Sequence, residues 1–192
     1  MTPVVRFESV ALRRGGRLLF ENRSFNIGPC GALRVKGPNG SGKSSLIRLA
    51  AGLLRPAAGS VAREGRIGLI DDHFPFDLER PLIDELAFWT GLDGSPRALV
   101  GDALAAFDIA HLAGIPMRLL STGQRKRAAF AGLWADTSSI WLLDEPLNGL
   151  DSEGVELVRR EIAAHRSGGN VVIYASHQPL DLHDEQVVEL GR

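Results

Sequence analysis

The sequence predicts an α/β fold in which helices alternate with the strands of a parallel sheet. An uninterrupted apolar run at residues 140–143 and a second, mainly apolar run at residues 170–174 are typical of strands buried on both faces. Helical patterns lie between such runs, and a glycine-rich segment at residues 37–44 joins an apolar strand pattern to a helical one. This alternation indicates an α/β domain.

The glycine-rich segment reads GPNGSGKS and matches the phosphate-binding P-loop template G-x-x-x-x-G-K-[ST]. Gly37 and Gly42 allow the tight turn that brings backbone N–H groups against phosphate oxygens. Lys43 offers a positive charge to the β- and γ-phosphates, and Ser44 offers a hydroxyl to Mg²⁺. A chance glycine-rich turn is the alternative, but the strand-then-helix context favours a nucleotide site. The residues predicted to bind the nucleotide here are Gly37, Pro38, Asn39, Gly40, Ser41, Gly42, Lys43, Ser44 and Ser45.

The composition suits one globular domain, since the chain has 192 residues of which 44% are hydrophobic. Its net charge of −1, from 22 basic and 23 acidic side chains, gives no global basic field, so no nucleic-acid partner is expected. The single cysteine, Cys30, cannot form an internal disulfide, which indicates a reducing compartment. No run of about 18 apolar residues occurs, and the N-terminus lacks the apolar core of a secretion signal. We therefore expect a protein that is neither secreted nor membrane-spanning.

The first third of the chain is rich in strand patterns. Residues 4–10 alternate and carry β-branched side chains, and a turn with two glycines separates them from the next run. We expect a short antiparallel region leading into the P-loop strand, with strands at residues 4–10, 17–20, 24–27 and 33–36. The P-loop helix should end near Gly52, because glycine favours the C-terminal end of a helix. Further strands are expected at residues 60–63 and 66–70.

The middle of the chain is mainly helical in pattern, and we interpret residues 72–135 as a helical subdomain within one domain spanning residues 1–192. The predicted helices lie at residues 82–89, 96–107 and 124–135. Ser121 is expected to cap the last of them. The α/β alternation then resumes with strands at residues 140–143, 170–174 and 186–190 and a helix at residues 155–165.

Two adjacent carboxylates, Asp144 and Glu145, follow the strand predicted at residues 140–143. Ligands of α/β folds bind at the carboxyl ends of the strands, which is where a P-loop ATPase holds its metal and its attacking water. The stretch resembles an extended Walker B motif, which assigns Asp144 to Mg²⁺ and Glu145 to the polarisation of water. An acidic turn after a buried strand is the alternative, and the upstream P-loop disfavours it.

Residues 120–124, LSTGQ, resemble the LSGGQ signature of ABC-type ATPases. The resemblance implies a P-loop NTPase fold of the ABC type, with an antiparallel β subdomain and a helical signature subdomain. It also implies that Ser121, Gly123 and Gln124 face ATP held by a second protomer, at the N-terminus of a helix. Considered alone, the segment would favour an N-capped helix with a basic exposed face.

Two further motifs occur where this family has them. Residues 147–151, LNGLD, look like the D-loop, whose aspartate, here Asp151, organises the dimer contact. His177 follows the strand predicted at residues 170–174 and looks like the switch histidine that contacts the γ-phosphate. A histidine after a strand is commonly an ordinary surface or core residue. The ordered set of motifs over residues 37–177 favours the functional role.

The resemblance implies that two ATP molecules are held between two ATPase protomers arranged head to tail. Each site combines one protomer's P-loop with its partner's signature, and we expect a homodimer. Closure of the dimer positions the reacting groups and stabilises charge, so an isolated subunit lacks half of its site. Hydrolysis of ATP then releases the dimer.

The chain departs from the family pattern at two positions. The aromatic residue that stacks on adenine is missing from the first hairpin, where Arg14 could stack instead. A solvated hairpin charge is the alternative for Arg14. The glutamine that touches Mg²⁺ is also missing, and Asp72 and His73 occupy its place. We predict Asp72 as a metal ligand, while His73 in that role, or an ordinary polar loop, stays open.

Within the family, the chain most resembles the ATPase subunit of the haem exporter used in cytochrome c maturation. The likeness rests on RGGRLLF at residues 14–20, LSTGQRKR at 120–127, WLLDEPLNGLD at 141–151 and SHQPL at 176–180. It implies an integral membrane permease as partner, a peripheral place on the cytoplasmic face of the inner or plasma membrane, and ATP hydrolysis as the driving reaction. Residues 74–89, with their aromatic side chains, would form part of the surface that receives the permease, although such spacing is also typical of a core.

Other functions are compatible with these motifs. The chain could serve another ABC transporter, or act as a soluble ABC-type ATPase in translation or DNA repair. Soluble members usually carry two cassettes or a long coiled coil, whereas this sequence has one cassette and no heptad run. A non-catalytic nucleotide-binding regulator is a third alternative, which Glu145 disfavours.

Overall fold

The computed structural model describes residues 2–71, 75–92 and 94–191. The chain divides into two compact units. Unit 1 consists of Met1–Asp71, Ser139–Pro146 and Ala163–Arg192, and unit 2 consists of Asp72–Ser138 and Leu147–Ile162. The limits that the sequence suggests for the domain, residues 1–192, and for its helical subdomain, residues 72–135, stay predictions.

The described residues form strands and helices in the alternation that the sequence predicts. The strands are β1 (Val4–Arg14), β2 (Arg17–Ile27), β3 (Ala32–Lys36), β4 (Ala58–Glu64), β5 (Ile67–Ile70), β6 (Ile140–Asp144), β7 (Val171–Ala175) and β8 (Gln186–Glu189). The α-helices are α1 (Lys43–Ala50), α2 (Leu82–Leu92), α3 (Leu99–Ala106), α4 (Thr122–Ala135) and α5 (Ser152–Ser167). Two short 3₁₀ helices span Ala110–Leu112 and Met117–Leu119.

Strands β2, β1 and β4 form an antiparallel sheet in unit 1, in that order. The sequence predicts separate strands at residues 17–20 and 24–27, but both runs belong to the single strand β2. The pairing of β2 with β1 shifts register between Val10, which pairs with Arg23, and Leu12, which pairs with Phe20. Such a bulge bends and twists the strand while the ladder continues on either side, so the polar residues between the two runs do not end β2.

Strands β5, β6, β7, β3 and β8 form a second sheet of unit 1 in that order, and each adjacent pair is parallel. Strands β6 and β7 are buried along their whole length, as expected for strands covered on both faces. Because the strands are parallel, their carboxyl ends share one edge of the sheet. The loops that follow β3, β6 and β7 therefore emerge on the same side.

Helix α1 links the two sheets of unit 1 through one hydrophobic core. The core contains Val5 and Phe7 from β1, Leu46 from α1, Leu142 from β6 and Ile173 from β7, each 1% exposed or less. Burial of a side chain of this size contributes roughly 1.5–3 kcal/mol relative to exposure. The core therefore holds α1, and with it the P-loop, against the parallel sheet.

Unit 2 is mainly helical, and α2, α3 and α4 pack against one another. Phe107 and Phe130 stack within it, with ring centroids 5.9 Å apart. Helix α3 begins at Leu99, later than the start predicted at Pro96, because the N–H of Leu99 closes a turn onto the carbonyl of Pro96 ahead of the helix. Within the described ranges, no helix is both long and apolar enough to cross a bilayer.

Candidate functional site

The P-loop leaves β3 after Lys36 and enters α1 at Lys43. Gly37, Gly40 and Gly42 have φ angles of 150°, 78° and 104°, a region that side chains with a Cβ rarely adopt. A Cβ at Gly37 would also lie 2.5 Å from the carbonyl oxygen of Leu190. Backbone conformation and close packing therefore both require glycine at this position.

A cavity of about 350 Å³ lies over the P-loop and the first turn of α1. Its lining, all from unit 1, consists of Leu19, Asn39, Gly40, Gly42, Lys43, Ser44, Ser45 and Glu145. The N-terminus of α1 contributes free N–H groups and the positive end of the helix dipole. A cradle of glycine backbone, a helix N-terminus and one ammonium group fits a polyphosphate chain.

Lys43 is a buried lysine that the P-loop holds in place. The residue is 7% exposed. Nζ donates to the carbonyl oxygen of Gly37 at 2.9 Å and to that of Pro38 at 3.2 Å. The loop carbonyls thus position the ammonium at the cavity and partly compensate the loss of its hydration.

His177 lies beside this ammonium, in the loop after β7. Its Nε2 atom is 3.2 Å from Nζ of Lys43 and 3.2 Å from Oδ1 of Asn39. The same atom lies 3.8 Å from Oε1 of Glu145. One nitrogen of the imidazole therefore contacts both the P-loop and the loop after β6. To bond a phosphate oxygen, this nitrogen has to give up its contacts with Lys43 or Asn39.

The two predicted carboxylates differ in backbone and burial. Asp144 is the last residue of β6 and is 5% exposed. Glu145 has a φ of 46°, and its N–H donates to the carbonyl of Ala175 at 2.8 Å. A non-glycine residue in the left-handed region costs of order 1–3 kcal/mol and is common at functional sites. This turn directs the Glu145 side chain to the cavity, a conformation that the sequence does not reveal.

The metal ligands predicted from the sequence are Ser44, Asp144 and Asp72. Ser44 lines the cavity, and Asp144 ends the strand beside it in unit 1. Asp72 and its alternative, His73, lie outside the described residues. Among the residues that are described, no cluster of three or more His, Cys, Asp or Glu could hold a metal ion. Mg²⁺ in phosphate sites is held by one or two side chains, phosphate oxygens and water, which the hydroxyl and the carboxylate fit.

The hairpin residue that lines the cavity is Leu19, which the sequence reasoning did not identify. Arg14, predicted to stack on adenine, is exposed at the end of β1, in register with Arg17. Its role in base binding stays a prediction. The alternation of side chains along a strand could have identified Leu19. Phe20 belongs to the hydrophobic core, so the preceding residue, Leu19, points to the opposite face of the strand.

The signature segment of unit 2 forms the N-terminus of α4, which begins at Thr122. The prediction that Ser121 caps this helix is confirmed. Oγ of Ser121 accepts from the N–H of Gln124 at 3.2 Å, and Oε1 of Gln124 accepts from the N–H of Ser121 at 2.9 Å. This reciprocal capping box leaves the hydroxyl proton of Ser121 available to an anionic ligand.

Arg127 and Asp151 form an ion pair within unit 2 that the sequence reasoning missed. Nη2 of Arg127 lies 2.8 Å from Oδ1 of Asp151, and the N–H of Gly154 donates to the same oxygen at 2.8 Å. The bond from Gly154 and the nearby guanidinium lower the pKa of Asp151. Lys126 and Arg127 are 3% and 8% exposed, so the alternative of a basic exposed face is wrong for both.

A second cavity, of about 440 Å³, lies over this part of unit 2. Its lining includes four residues of the signature segment together with the D-loop residues Gly149 and Asp151. The predicted site residues thus fall into two sets. Unit 1 holds the P-loop, Asp144, Glu145 and His177, and unit 2 holds Ser121, Gly123, Gln124 and Asp151.

Comparison with known proteins identifies the family. Residues 20–148 match a family model described as ABC transporter. The chain belongs to the ABC transporter family. This ABC protein is 47% identical over 191 residues to the cytochrome c biogenesis ATP-binding export protein CcmA of Sphingopyxis alaskensis, covering 100% of this chain and 98% of that protein. The protein of the same name from Novosphingobium aromaticivorans is 47% identical over 173 residues, which cover 90% of this chain and 88% of the relative.

The fold of this ABC ATPase also matches solved structures. An ATP binding subunit of an ABC transporter has a TM-score of 0.88 at 16% identity, covering 97% of this chain and 85% of that chain. The predicted fold, an ABC-type P-loop ATPase with an antiparallel sheet, a parallel sheet and a helical part, is thereby confirmed. The resemblance to the cytochrome c maturation ATPase is confirmed by the curated relatives.

Proposed function

We propose that the chain is the ATP-hydrolysing subunit of a membrane complex for cytochrome c biogenesis, acting as a peripheral subunit on the cytoplasmic face. The relatives named as cytochrome c biogenesis ATP-binding export proteins align with 90% of the chain or more, which supports this role. The single observation that supports hydrolysis best is the convergence of Lys43, Glu145 and His177 on one cavity in unit 1.

Each of these groups has a role in transfer of a phosphoryl group to water. Bound ATP supplies the γ-phosphoryl group. Lys43 neutralises charge on the phosphate oxygens, and His177 bonds the same oxygens through Nε2. Glu145 orients the attacking water and polarises it, because its carboxylate lines the cavity. Ser44 and Asp144 would hold Mg²⁺, which neutralises phosphate charge as a Lewis acid.

The signature residues support a composite site shared between two protomers. The N-terminus of α4 presents Ser121 and Gly123 at a cavity of unit 2, where an anion would meet free N–H groups. We propose that these groups complete the P-loop site of a second copy in a head-to-tail homodimer. Neither protomer alone would then hold a complete site.

Mixing two inactive variants tests this arrangement. Lys43→Ala removes the P-loop ammonium, and Gly123→Asp places a carboxylate at the signature. In a head-to-tail dimer of the two variants, one of the two sites keeps a normal P-loop and a normal signature. The mixture should therefore recover up to about a quarter of the wild-type rate per chain, since half of random dimers are mixed and carry one complete site of two.

The controls are each variant alone and a mixture of Lys43→Ala with Lys43→Ala/Gly123→Asp, all expected to stay inactive. A Cβ at Gly123 would lie 3.0 Å from the carbonyl oxygen of Gly149, so circular dichroism should first establish that the variant folds. Absence of recovery from two folded variants would exclude the shared site. Each subunit would then hydrolyse ATP without residues from a partner.

The exposed apolar side chains of unit 2 support docking of a membrane subunit. They are Leu78, Ile83, Phe88, Trp89, Leu92, Ile115 and Leu119. Phe88 and Trp89 are 45% and 37% exposed and pack edge to face, with Arg80 over the Phe88 ring at 4.7 Å. Exposed aromatic side chains that cluster at a protein surface commonly mark a binding surface. Phe74, which also belongs to the predicted surface, lies outside the described residues.

Docking and biogenesis can be tested in one bacterial strain that lacks its own copy of the relative. The chain should restore c-type cytochromes, measured by haem staining, and should copurify with a membrane protein. Phe88→Ser should weaken copurification, whereas Leu53→Ser, at an exposed apolar residue of unit 1, should not. A chain that stays in the soluble fraction with ATPase activity stimulated by nucleic acid would instead favour the soluble alternative.

A further inference from the structure

The imidazole of His177 is 55% exposed and meets the side chains of the P-loop at its Nε2 atom. These few contacts do not enclose the ring, so its position also depends on its backbone. The residue lies in the loop between β7, which ends at Ala175, and β8, which begins at Gln186. The position of the ring at the P-loop therefore depends on what holds this loop.

Arg34 of β3 holds the loop at the histidine itself. Nη2 of Arg34 donates to the carbonyl oxygen of His177 at 2.6 Å, and Nε lies 3.4 Å from the carbonyl oxygen of Ser176. The two donors of one planar guanidinium thus face two successive carbonyls. Such a fork restricts rotation of the peptide between them more than a single-point donor does.

Tyr174 of β7 holds the same loop from its other side. Its hydroxyl donates to Oε2 of Glu185 at 2.5 Å and accepts from the N–H of Leu180 at 3.1 Å. The ring is fully buried, and burial together with the Glu185 carboxylate raises the pKa of the phenol. The hydroxyl therefore remains protonated and serves as donor and acceptor at once.

Arg34 and Tyr174 lie directly opposite each other on the neighbouring parallel strands β3 and β7. One position of the sheet thus provides both groups that hold the loop, at residues 176–177 and again at residues 180 and 185. β3 is also the strand that runs into the P-loop. The same position of the sheet therefore anchors both the P-loop, which continues from β3, and the loop of His177.

We propose that Arg34 and Tyr174 are positioning residues for His177, which hold its imidazole within reach of Lys43 and the phosphate cavity. This inference rests on the role of His177 under the proposed function. If Arg34 and Tyr174 only stabilised the fold, their loss would lower the free energy of unfolding without changing the position of His177. The experiments below separate a positioning role from a structural one.

The first experiment is a double-mutant cycle on ATP turnover by the full chain. Arg34→Gln should lower kcat by about tenfold, since misplacement of a group by about 1 Å costs up to about 100-fold, while KM for ATP changes less than about twofold. Arg34→Lys, which keeps one donor for the His177 carbonyl, should recover part of the loss. In a His177→Ala background, Arg34→Gln should have no further effect on kcat. Multiplicative effects in the cycle would overturn the proposal.

The second experiment observes the imidazole of His177 directly by NMR and does not depend on ATP turnover. The imidazole NMR signal of His177, assigned by its loss in His177→Ala, should move towards that of free imidazole in Arg34→Gln and in Tyr174→Phe. Arg166→Gln is the matched control, since Arg166 also donates to a backbone carbonyl, that of Cys30, in unit 1. It should leave the signal in place.

The two readouts distinguish failure of this inference from failure of the proposed function. An unchanged His177 signal in both Arg34→Gln and Tyr174→Phe would overturn the positioning role, whatever the ATPase rate. A displaced signal, with a wild-type kcat in His177→Ala, would support positioning of the loop but contradict the catalytic role proposed for His177.

Discussion

Nζ of Lys43 lies 3.2 Å from Nε2 of His177, although 134 residues separate the two along the chain. The lysine is held by two carbonyls of the P-loop, and the histidine is held through the backbone of the loop after β7. Their meeting places an ammonium group and an imidazole at the same cavity. Both side chains belong to unit 1, so they meet within one compact unit.

Lys43→Ala should weaken ATP binding by at least about 10- to 100-fold, since a hydrogen bond to a charged group contributes about 1.5–3 kcal/mol. It should also abolish ATP-driven dimerisation, because in the proposed arrangement the nucleotide joins the two protomers. Titration with a fluorescent ATP analogue and size-exclusion chromatography measure the two effects. Lys36→Ala, at the end of β3, is the control for loss of a lysine charge. A Lys43→Ala chain that still dimerises with ATP would refute the sandwich arrangement.

Glu145→Gln should lower ATP turnover by about 10²- to 10⁴-fold, the range typical of a lost general base. ATP binding should persist, because Gln keeps the volume of the side chain and removes only its charge. The dimer should therefore accumulate in the presence of ATP and appear in size-exclusion chromatography. Glu64→Gln, at the exposed end of β4, should leave turnover unchanged. Wild-type turnover in Glu145→Gln would contradict the role proposed for this residue.

Arg63→Met should destabilise unit 1. Nε of Arg63 donates to the carbonyl oxygen of Ala50 at 2.6 Å, and the guanidinium also bonds the carbonyl of Leu49. Both carbonyls belong to the last turn of α1, where the helix itself supplies few donors, and that of Leu49 also accepts from the N–H of Gly52 at 3.0 Å. Removal of the guanidinium, which donates to both carbonyls, should lower the free energy of unfolding by about 1–3 kcal/mol. The urea midpoint should fall with an unchanged slope, and the exposed Arg55→Met serves as the control.

His165 should make the stability depend on pH. Its ring stacks on buried Trp141 at 3.9 Å between centroids, and burial lowers its pKa from 6.5 to about 4. The unfolded state therefore binds a proton first as the pH falls, so the contribution of neutral His165 is complete above about pH 6.5 and is lost between pH 6.5 and 4. Allowing for partial solvent exposure, we expect a loss of about 1–2 kcal/mol between pH 7 and 5.

The measurement for His165 is urea unfolding at pH 7 and pH 5. His165→Phe keeps an aromatic ring against Trp141 but cannot take up a proton, so its loss of stability over this range should be smaller than that of the wild type by the same amount. His111→Gln, at an exposed histidine, is the matched control and should behave as the wild type does. Equal pH dependence in wild type and His165→Phe would exclude the buried imidazole as the cause.

Several features of the fold could not be read from local patterns. The polar residues near Asn22 suggest a break between two strands, yet β2 continues because its pairing with β1 tolerates a register shift. The basic residues after Gln124 suggest a solvated face, yet Arg127 is buried against Asp151. In both cases a partner distant in sequence outweighs the local preference, because pairing and charge compensation are tertiary interactions.

The chemistry of the candidate site follows from short sequence motifs. Each motif consists of a few neighbouring residues, so it can be recognised without a structure. The motifs are the eight residues of the P-loop, the two carboxylates after an apolar strand and the capped helix. Which of these groups meet depends on packing between segments that are distant in the chain. The order β7-β3-β8 places Arg34 beside Tyr174 and brings the carbonyl of His177 to a guanidinium 143 residues away. Strand order in a parallel sheet depends on the whole core, and no local pattern encodes it.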